Sequence, residues 1–227
     1  ILACLEFRRV LFRSTLVIVV GGHGEDLDQH GEGTHGLLIY DATLRVPLLA
    51  RMPGRIQHSV IEDTVGLIDL APTVCELLDL SGPGEMDGSS LVPAIDGEER
   101  AELPFFAEGE YSRRSFNWAR LRSIIIGDWK LIDSPKPELF KLSEDLGETN
   151  NLAESEPERV LRMREAMLDY LSTKRVRDAV ALNASGEADA ALAALGYVAG
   201  EGGTIDDDPM DLKEPREMVD VFKEIGR

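Results

Sequence analysis

The clearest hydrophobic pattern near the start of the chain is a continuous, β-branched apolar run from Thr15 to Val20, which ends at Gly21-Gly22. An unbroken run of this length is typical of a strand that is buried on both faces in a parallel sheet. A second short strand is predicted at Val46 to Arg51, closed by Pro53-Gly54. Because ligands of open α/β sheets collect at the carboxyl ends of strands, the loop after the first strand is the first candidate for chemistry.

A helix is predicted after these two strands. Asp69 can cap it, Pro72 is tolerated in its first turn, and the apolar spacing continues to about Leu80, with Gly82 as the stop. We expect this helix to cover a sheet.

The hydrophobic period changes after Leu103. Leu121 to Ile126, the Gly127-Asp128 pair and Trp129 to Ile132 form the pattern of a two-residue β-hairpin, and Glu138 to Leu142 can add a third antiparallel strand. The sequence therefore predicts a small antiparallel meander beside the main sheet.

The segment after the meander has the pattern of an amphipathic helix. Ser155 and Glu158 form a capping-box pattern at its start. Its apolar positions are Val160, Leu161, Met167, Leu168 and Leu171. We expect these side chains to pack on the meander.

The two ends of the chain differ from its centre. Residues 1–14 are Arg-rich and look like translated adapter sequence, so they are predicted to be a non-native segment, with a short native helix as the alternative. Residues 15–178 are predicted to fold. Residues 179–227 are predicted to be a helical and acidic linker that leads towards a truncated region, which could consist of helical repeats. Helical patterns occur at Ala179 to Ala199 and at Glu214 to Ile225.

Composition narrows the classes of partner. The chain has 24 Lys and Arg against 42 Asp and Glu, a formal net charge of −18, which argues against a nucleic-acid partner. Its two cysteines, Cys4 and Cys75, provide no disulfide framework and no CxxC pair. No apolar run reaches the length of a membrane span. An anionic substrate would need local cations or a metal.

Three of the four histidines, His23, His30 and His35, follow the first predicted strand closely. The carboxylates interleaved with them are Glu25, Asp26, Asp28 and Glu32. Spacing alone leaves two interpretations open. The cluster can serve a metal or an anionic transition state, or it can be a polar loop whose histidines are merely solvated.

Several segments resemble the sulfatase family. Residues 19–25 (VVGGHGE), 29–36 (QHGEGTHG) and 40–48 (YDATLRVPL) are similar to the second metal-binding segment of sulfatases and the strand that follows it. Further similar segments occur in family order at 68–73, 86–91, 129–132 and 138–152. By this resemblance, residues 15–178 are identified as the C-terminal part of a sulfatase domain of the alkaline phosphatase superfamily.

The resemblance implies a fold and a set of site residues. The implied fold is α/β, a partial alkaline-phosphatase-like parallel-sheet sandwich with a small C-terminal antiparallel sheet plus helix. His23 matches a metal ligand, and His35 matches a cationic residue that contacts the substrate's sulfate or phosphate, a catalytic and substrate-binding role. Gly22 stands where the family has an Asp ligand, so affinity for a hard divalent cation is expected to fall sharply. His30 is expected to be a solvated loop residue rather than a third site residue.

The resemblance also implies a reaction, the hydrolysis of sulfuric esters. A formylglycine made from a Cys or Ser attacks sulfur, while a divalent metal, calcium in sulfatases, neutralises the ester oxygens. Neither Cys4 nor Cys75 lies in the required motif, so we expect the nucleophile upstream of residue 15 and the chain alone to be inactive. The expected substrate is a small-molecule or carbohydrate sulfate ester, the expected location is periplasmic or secreted, and a C-terminal repeat region could bind protein partners.

Two other functions stay open at this point. One is a phosphodiesterase, phosphomonoesterase or phosphoethanolamine transferase of the same superfamily, in which an upstream Thr or Ser attacks phosphorus between zinc ions. The other is a catalytically dead binding or scaffold protein, for which Gly22 is the direct support.

Overall fold

The computed structural model describes residues 14–101, 103–116, 118–173 and 219. The predicted non-native segment 1–14, apart from Ser14, and the helices and linker predicted in 179–227, apart from Val219, lie outside the described residues. In chain order the elements are β1 Val17–Val20, α1 Asp41–Leu44, β2 Leu48–Arg51, a 3-10 turn Leu67–Asp69, α2 Leu70–Leu77, α3 Val92–Ile95, β3 Phe105–Gly109, α4 Tyr111–Phe116, β4 Leu121–Ile126, β5 Trp129–Asp133, β6 Glu138–Lys141 and α5 Pro157–Thr173. None of the described helices is long and apolar enough to cross a bilayer.

The first two strands form a small sheet of their own. β1 pairs antiparallel with β2, and Val19 lies opposite Leu49 in the register. Both of these side chains are exposed, Val19 by 57% and Leu49 by 63%. The parallel pairing and two-sided burial predicted for β1 are therefore not found among the described residues. An apolar run indicates that a strand can be covered, but it does not specify which strand pairs with it.

The second sheet has four antiparallel strands in the order β3-β4-β5-β6. The predicted hairpin is confirmed, with Ile126 opposite Trp129 and Gly127 at a φ of 57°, a left-handed conformation that glycine adopts without strain. β6 pairs with β5 as predicted. The edge strand β3 was not predicted, because its five residues include Glu108 and Gly109, which are poor strand formers.

Helix α5 covers one face of the four-stranded sheet. The apolar cluster between them contains Ile124, Leu131 and Leu139 from the sheet and Val160, Met163 and Met167 from the helix. The predicted packing of the helix on the meander is thus confirmed.

Two details of the predicted helix were wrong. Leu161 and Leu168 are 57% and 55% exposed, because the helical period turns them away from the sheet. The predicted capping box is absent, since α5 begins at Pro157 and the Ser155 hydroxyl donates to the Leu152 carbonyl instead.

The other face of the four-stranded sheet packs on the segment that leads into α1. Leu121, Ile132 and Phe140 form one cluster with Leu38, Ile39, Tyr40 and Val219. Helix α5 therefore packs on one face of the sheet, and residues 38–40 pack on the other. This arrangement positions the histidine-containing loop.

Asp69 differs from its predicted role as a helix cap. It precedes α2, but its side chain makes no capping hydrogen bond to that helix, which ends at Leu77. Instead, its buried carboxylate accepts hydrogen bonds from the backbone N–H groups of Gly66 and Ser89 and pairs with Arg100 at 2.8 Å. Asp69 thus ties the 3-10 turn to the loop that follows α2.

Met167 provides a test of the packing between α5 and the sheet, because its side chain is fully buried. We expect Met167→Ala to lower the free energy of unfolding by about 2–5 kcal/mol, through lost apolar burial and the cavity left behind. Urea denaturation followed by circular dichroism measures the change. The matched control is Leu168→Ala, which should change stability by less than about 0.5 kcal/mol because Leu168 is exposed. Equal losses in the two variants would contradict this packing.

Candidate active site

The candidate site lies in residues 21–47, the connection between β1 and β2, which we call the histidine loop. Gly24 fixes its base by a close backbone approach. A Cβ at this position would lie 2.1 Å from the Ala42 carbonyl oxygen, and the Gly24 N–H donates to the Thr43 carbonyl at 2.7 Å. Any larger residue would push the start of the loop away from its end, so glycine is required here for packing.

Two buried carboxylates shape the loop internally. Asp26 accepts hydrogen bonds from the backbone N–H groups of His30 and Glu32. Glu32 in turn accepts from the N–H groups of Leu37 and Leu38, at 2.8 and 2.9 Å. Buried carboxylates need such donors, because an unpaired buried charge is costly. These two acidic residues therefore organise the loop backbone.

His30 was predicted to be a solvated loop residue, and this prediction was wrong. It also lies outside the exposed histidine cluster. Its side chain is only 3% exposed, and its ring stacks on Tyr40 with centroids 3.8 Å apart. Nδ1 lies 2.7 Å from the Asp26 carboxylate and Nε2 lies 3.0 Å from the Gly147 carbonyl. His30 thus links the histidine loop to the segment after β6. Spacing could not reveal this role, because the contact with Gly147 is 117 residues away in sequence.

His23 and His35 come together at the exposed side of the loop. Their rings stack with centroids 3.8 Å apart, and both follow the carboxyl end of β1. Glu25 joins them, so that one ligand-type atom from each of the three residues lies within 4.8 Å of the others. All three are exposed. The sequence placed Glu25 near the histidines but did not identify it as their partner.

Hydrogen bonds orient both imidazole rings. Nδ1 of His23 lies 2.9 Å from the carbonyl oxygen of Gly24, and Nδ1 of His35 lies 3.0 Å from the Glu25 carboxylate. When each Nδ1 donates to its oxygen partner, Nε2 becomes the nitrogen that is available to a ligand. This is the arrangement in which metal-binding or anion-contacting histidines are commonly held.

A buried ion triad fastens the histidine loop to the sheet. Lys130 on β5 is completely buried, and its Nζ lies 2.7 Å from carboxylate oxygens of both Asp41 and Glu148. Glu148 also accepts a hydrogen bond from the backbone N–H of Asp41. Burial raises the pKa of the Glu148 carboxyl above its ordinary value, although the Lys130 ammonium opposes this shift. Nearby, the Tyr40 hydroxyl donates to Glu138 at 2.8 Å.

By itself the cluster does not complete a calcium site. Calcium takes six to eight oxygen ligands, whereas His23, Glu25 and His35 offer two imidazoles and one carboxylate, so further oxygen ligands would have to come from outside the cluster. At Gly22, where an oxygen ligand was expected, an added Cβ would meet no heavy atom within 4 Å, and the backbone does not have the positive φ that would require glycine. Packing thus explains the glycine at position 24 but not the one at position 22.

Comparison with known proteins identifies the family. The family model described as N-sulphoglucosamine sulphohydrolase, C-terminal, matches residues 33–175. The chain belongs to the sulfatase family. This confirms the predicted membership in the alkaline phosphatase superfamily and, together with the structural neighbours below, the α/β fold class.

The sulfatase chain is similar to several known sequences and structures. It is 28% identical over 174 residues to the Delta 4,5-hexuronate-2-O-sulfatase of Bacteroides thetaiotaomicron, a match that covers 73% of this chain and 36% of the relative. A solved 2-O GAG sulfatase is similar with a TM-score of 0.58 and 25% identity, over 69% of this chain and 36% of that one. The phosphonate monoester hydrolase of Silicibacter pomeroyi gives a TM-score of 0.56 and 26% identity, over 68% and 34%. The chain therefore spans about a third of the length of the curated relatives that it matches.

The ion triad predicts a large effect of removing its lysine. Lys130→Met should lower the free energy of unfolding by about 3–5 kcal/mol, because the buried Glu148 and the partly buried Asp41 would be left without a cation. Urea denaturation measures this loss. Lys141→Met is the control, since Lys141 is 33% exposed and pairs with the exposed Glu144. If both variants were equally stable, the triad would not fasten the loop.

A carboxylate introduced at position 22 is expected to increase the affinity for cations. Gly22→Asp should raise the affinity of the chain for Ca²⁺ and Mn²⁺ by about tenfold or more, because it adds a carboxylate ligand next to His23 in open space. Isothermal titration calorimetry measures the affinities. Gly33→Asp adds the same charge to the same loop, also in open space, and controls for net charge. An equal gain in both variants would show a general charge effect instead of a ligand at position 22.

Proposed function

We propose that this chain is the C-terminal part of a sulfuric ester hydrolase whose formylglycine nucleophile lies in a segment outside this sequence. The observation that carries the proposal is the stacked pair of His23 and His35 at the carboxyl end of β1. The family resemblance assigns substrate and metal contacts to these same two positions. Membership of the sulfatase family supports the reaction class.

In the proposed reaction, His35 contacts the sulfate ester. Its Nδ1 is held by the Glu25 carboxylate, so its Nε2 is presented towards the substrate. When Nε2 also carries a proton, a ring held in this way can bind the anionic ester and donate that proton to the departing alcohol oxygen. His23 is oriented by the Gly24 carbonyl, and its Nε2 would be one ligand of a divalent cation, which the family resemblance makes calcium. Such a cation would supply positive charge to the ester oxygens.

We propose a sulfated carbohydrate as the substrate class. Two relatives have names that describe such substrates, the hexuronate-2-O-sulfatase and the 2-O GAG sulfatase. The identities of 28% and 25% support the class of substrate and not a particular sugar. A periplasmic or secreted location is proposed as well, on the family resemblance alone.

The test compares the 227-residue chain with a longer protein that also contains the proposed upstream segment. We expect sulfate release from sulfated disaccharides by the longer protein and none by the chain alone, measured by ion chromatography. His35→Ala in the longer protein should reduce the rate about a hundredfold or more, because it removes a proton donor and an anion contact.

The matched control for that substitution is His58→Ala, an exposed histidine outside the histidine loop, which should leave the rate unchanged. Sulfate release by the 227-residue chain alone would overturn the proposed position of the nucleophile. Full activity of the His35→Ala variant of the longer protein would overturn the role of His35.

The likeness to a phosphonate monoester hydrolase supports a second candidate, hydrolysis of phosphorus esters. Its fold similarity and 26% identity are close to those of the 2-O GAG sulfatase. Assaying the longer protein with p-nitrophenyl sulfate and with p-nitrophenyl phenylphosphonate separates the two. Faster turnover of the phosphonate ester would favour the second candidate.

A further inference from the structure

The imidazole of His30 has a hydrogen-bond acceptor at each of its two nitrogens, although its side chain is only 3% exposed. Nδ1 lies 2.7 Å from a carboxylate oxygen of Asp26, and Nε2 lies 3.0 Å from the carbonyl oxygen of Gly147. A carbonyl oxygen only accepts hydrogen bonds, and a neutral imidazole has a single N–H donor. Both contacts are therefore hydrogen bonds only if the pair of His30 and Asp26 holds one proton more than a neutral ring beside a carboxylate.

The contacts of Asp26 assign this additional proton to the ring. The second carboxylate oxygen of Asp26 accepts hydrogen bonds from the backbone N–H groups of His30 and Glu32, at 2.9 and 3.1 Å. Backbone donors of this kind stabilise a carboxylate anion. Because Asp26 is completely buried, its negative charge also needs a cation close by. A ring of His30 that is protonated on both nitrogens meets this need and donates to Asp26 and Gly147 together.

The other groups around His30 also suit a positive ring. Tyr40 stacks on it with the planes 13° apart, and the face of an aromatic ring attracts a cation. Partial burial raises the pKa of the Asp145 carboxyl, but hydrogen bonds from residues 149–150 and the charge of His30 lower it further, so that it lies below its ordinary value. Asp26 and Tyr40 from the histidine loop and Asp145 from the segment after β6 are thus the titratable groups around the ring.

The turn between Asp26 and His30 has a strained backbone. Leu27 and Asp28 have φ angles of 51° and 66°, in the left-handed region that residues other than glycine adopt at a cost. The contacts of Asp26 and His30 hold the two ends of this turn. If the His30 contacts were lost, the turn could relax and displace Glu25, which precedes it and orients the His35 ring.

We propose that His30 is a positioning residue that is held as an imidazolium, and that its two N–H donors lock the histidine loop to the segment after β6. When one proton is removed, a lone pair on one nitrogen faces either Asp26 or Gly147, so that one end of the bridge opens. The lock acts on His23 and His35 only through the loop backbone. It is independent of the proposed hydrolysis, because it can be measured without substrate or turnover.

The direct test is NMR spectroscopy of the 227-residue chain labelled with ¹⁵N-histidine, at about pH 8, where an ordinary histidine is neutral. The chain contains four histidines, and substitution of the exposed His23, His35 and His58 one at a time assigns the signals of His30 without altering its contacts. We expect both ring nitrogens of His30 to show a one-bond coupling to a proton. A coupling on only one of the two nitrogens would overturn the proposal.

The pH dependence of stability is a second test. The folded chain retains a proton that the unfolded chain releases above the ordinary histidine value of about 6.5, so stability should fall as the pH rises. The comparison variant is His30→Gln, whose amide can still donate to Gly147 but does not titrate. From about pH 6.5 to about pH 8.5, the unfolding equilibrium constant of the unaltered chain should increase at least about tenfold more than that of His30→Gln.

Urea denaturation at each pH measures these constants. The matched control is His58→Gln, which removes an exposed histidine outside the histidine loop and should follow the pH profile of the unaltered chain. Parallel pH profiles of the unaltered chain and His30→Gln would show that His30 retains no proton on folding, and the proposed lock would be wrong.

Discussion

A lysine taken completely out of water holds the histidine loop against the four-stranded sheet. The desolvation of Lys130 is offset only because Asp41 and Glu148 both lie within 2.7 Å of its ammonium group. Each member of the triad comes from a different part of the chain: the end of the histidine loop, strand β5, and the segment after β6. The three charges are therefore satisfied together or not at all. This makes the position of the loop a property of the whole described fold.

Apolar packing and polar contacts have separate roles in this arrangement. The core beneath residues 38–40 brings the loop and the sheet together, but apolar contacts alone tolerate small shifts. Directional contacts remove that freedom, because His30, Tyr40 and Asp41 are each bonded to groups near or beyond the sheet. The exposed pair His23 and His35 can then be accurately placed although neither residue is buried.

Local patterns predicted what depends on local sequence. The hairpin around Gly127 follows from its turn residues, and the inner face of α5 follows from the helical spacing of Val160 and Met167. The partner of β1 could not be predicted, because an apolar run contains no information about pairing. The edge strand β3 gave too weak a local signal, since it is stabilised by its pairing with β4.

The candidate site also contains some features that could be predicted from the sequence and others that could not. The closeness of His23 and His35 could be expected from their position after a strand and from the family resemblance, and the structure brings them together. The buried location of His30 could not be expected, because it depends on a contact with the carbonyl of Gly147, which is far along the chain. The pairing of Glu25 with His35 depends on the path of the loop backbone, which the buried carboxylates determine.

The burial of Val219 among Leu38, Tyr40 and Phe140 has a consequence for the order of folding. α5 and the strands beneath it are near neighbours in sequence and can form early, since short loops close at low entropic cost. The core under the histidine loop joins residues from near both ends of the described chain. That core is therefore complete only once the chain has been synthesised as far as Val219.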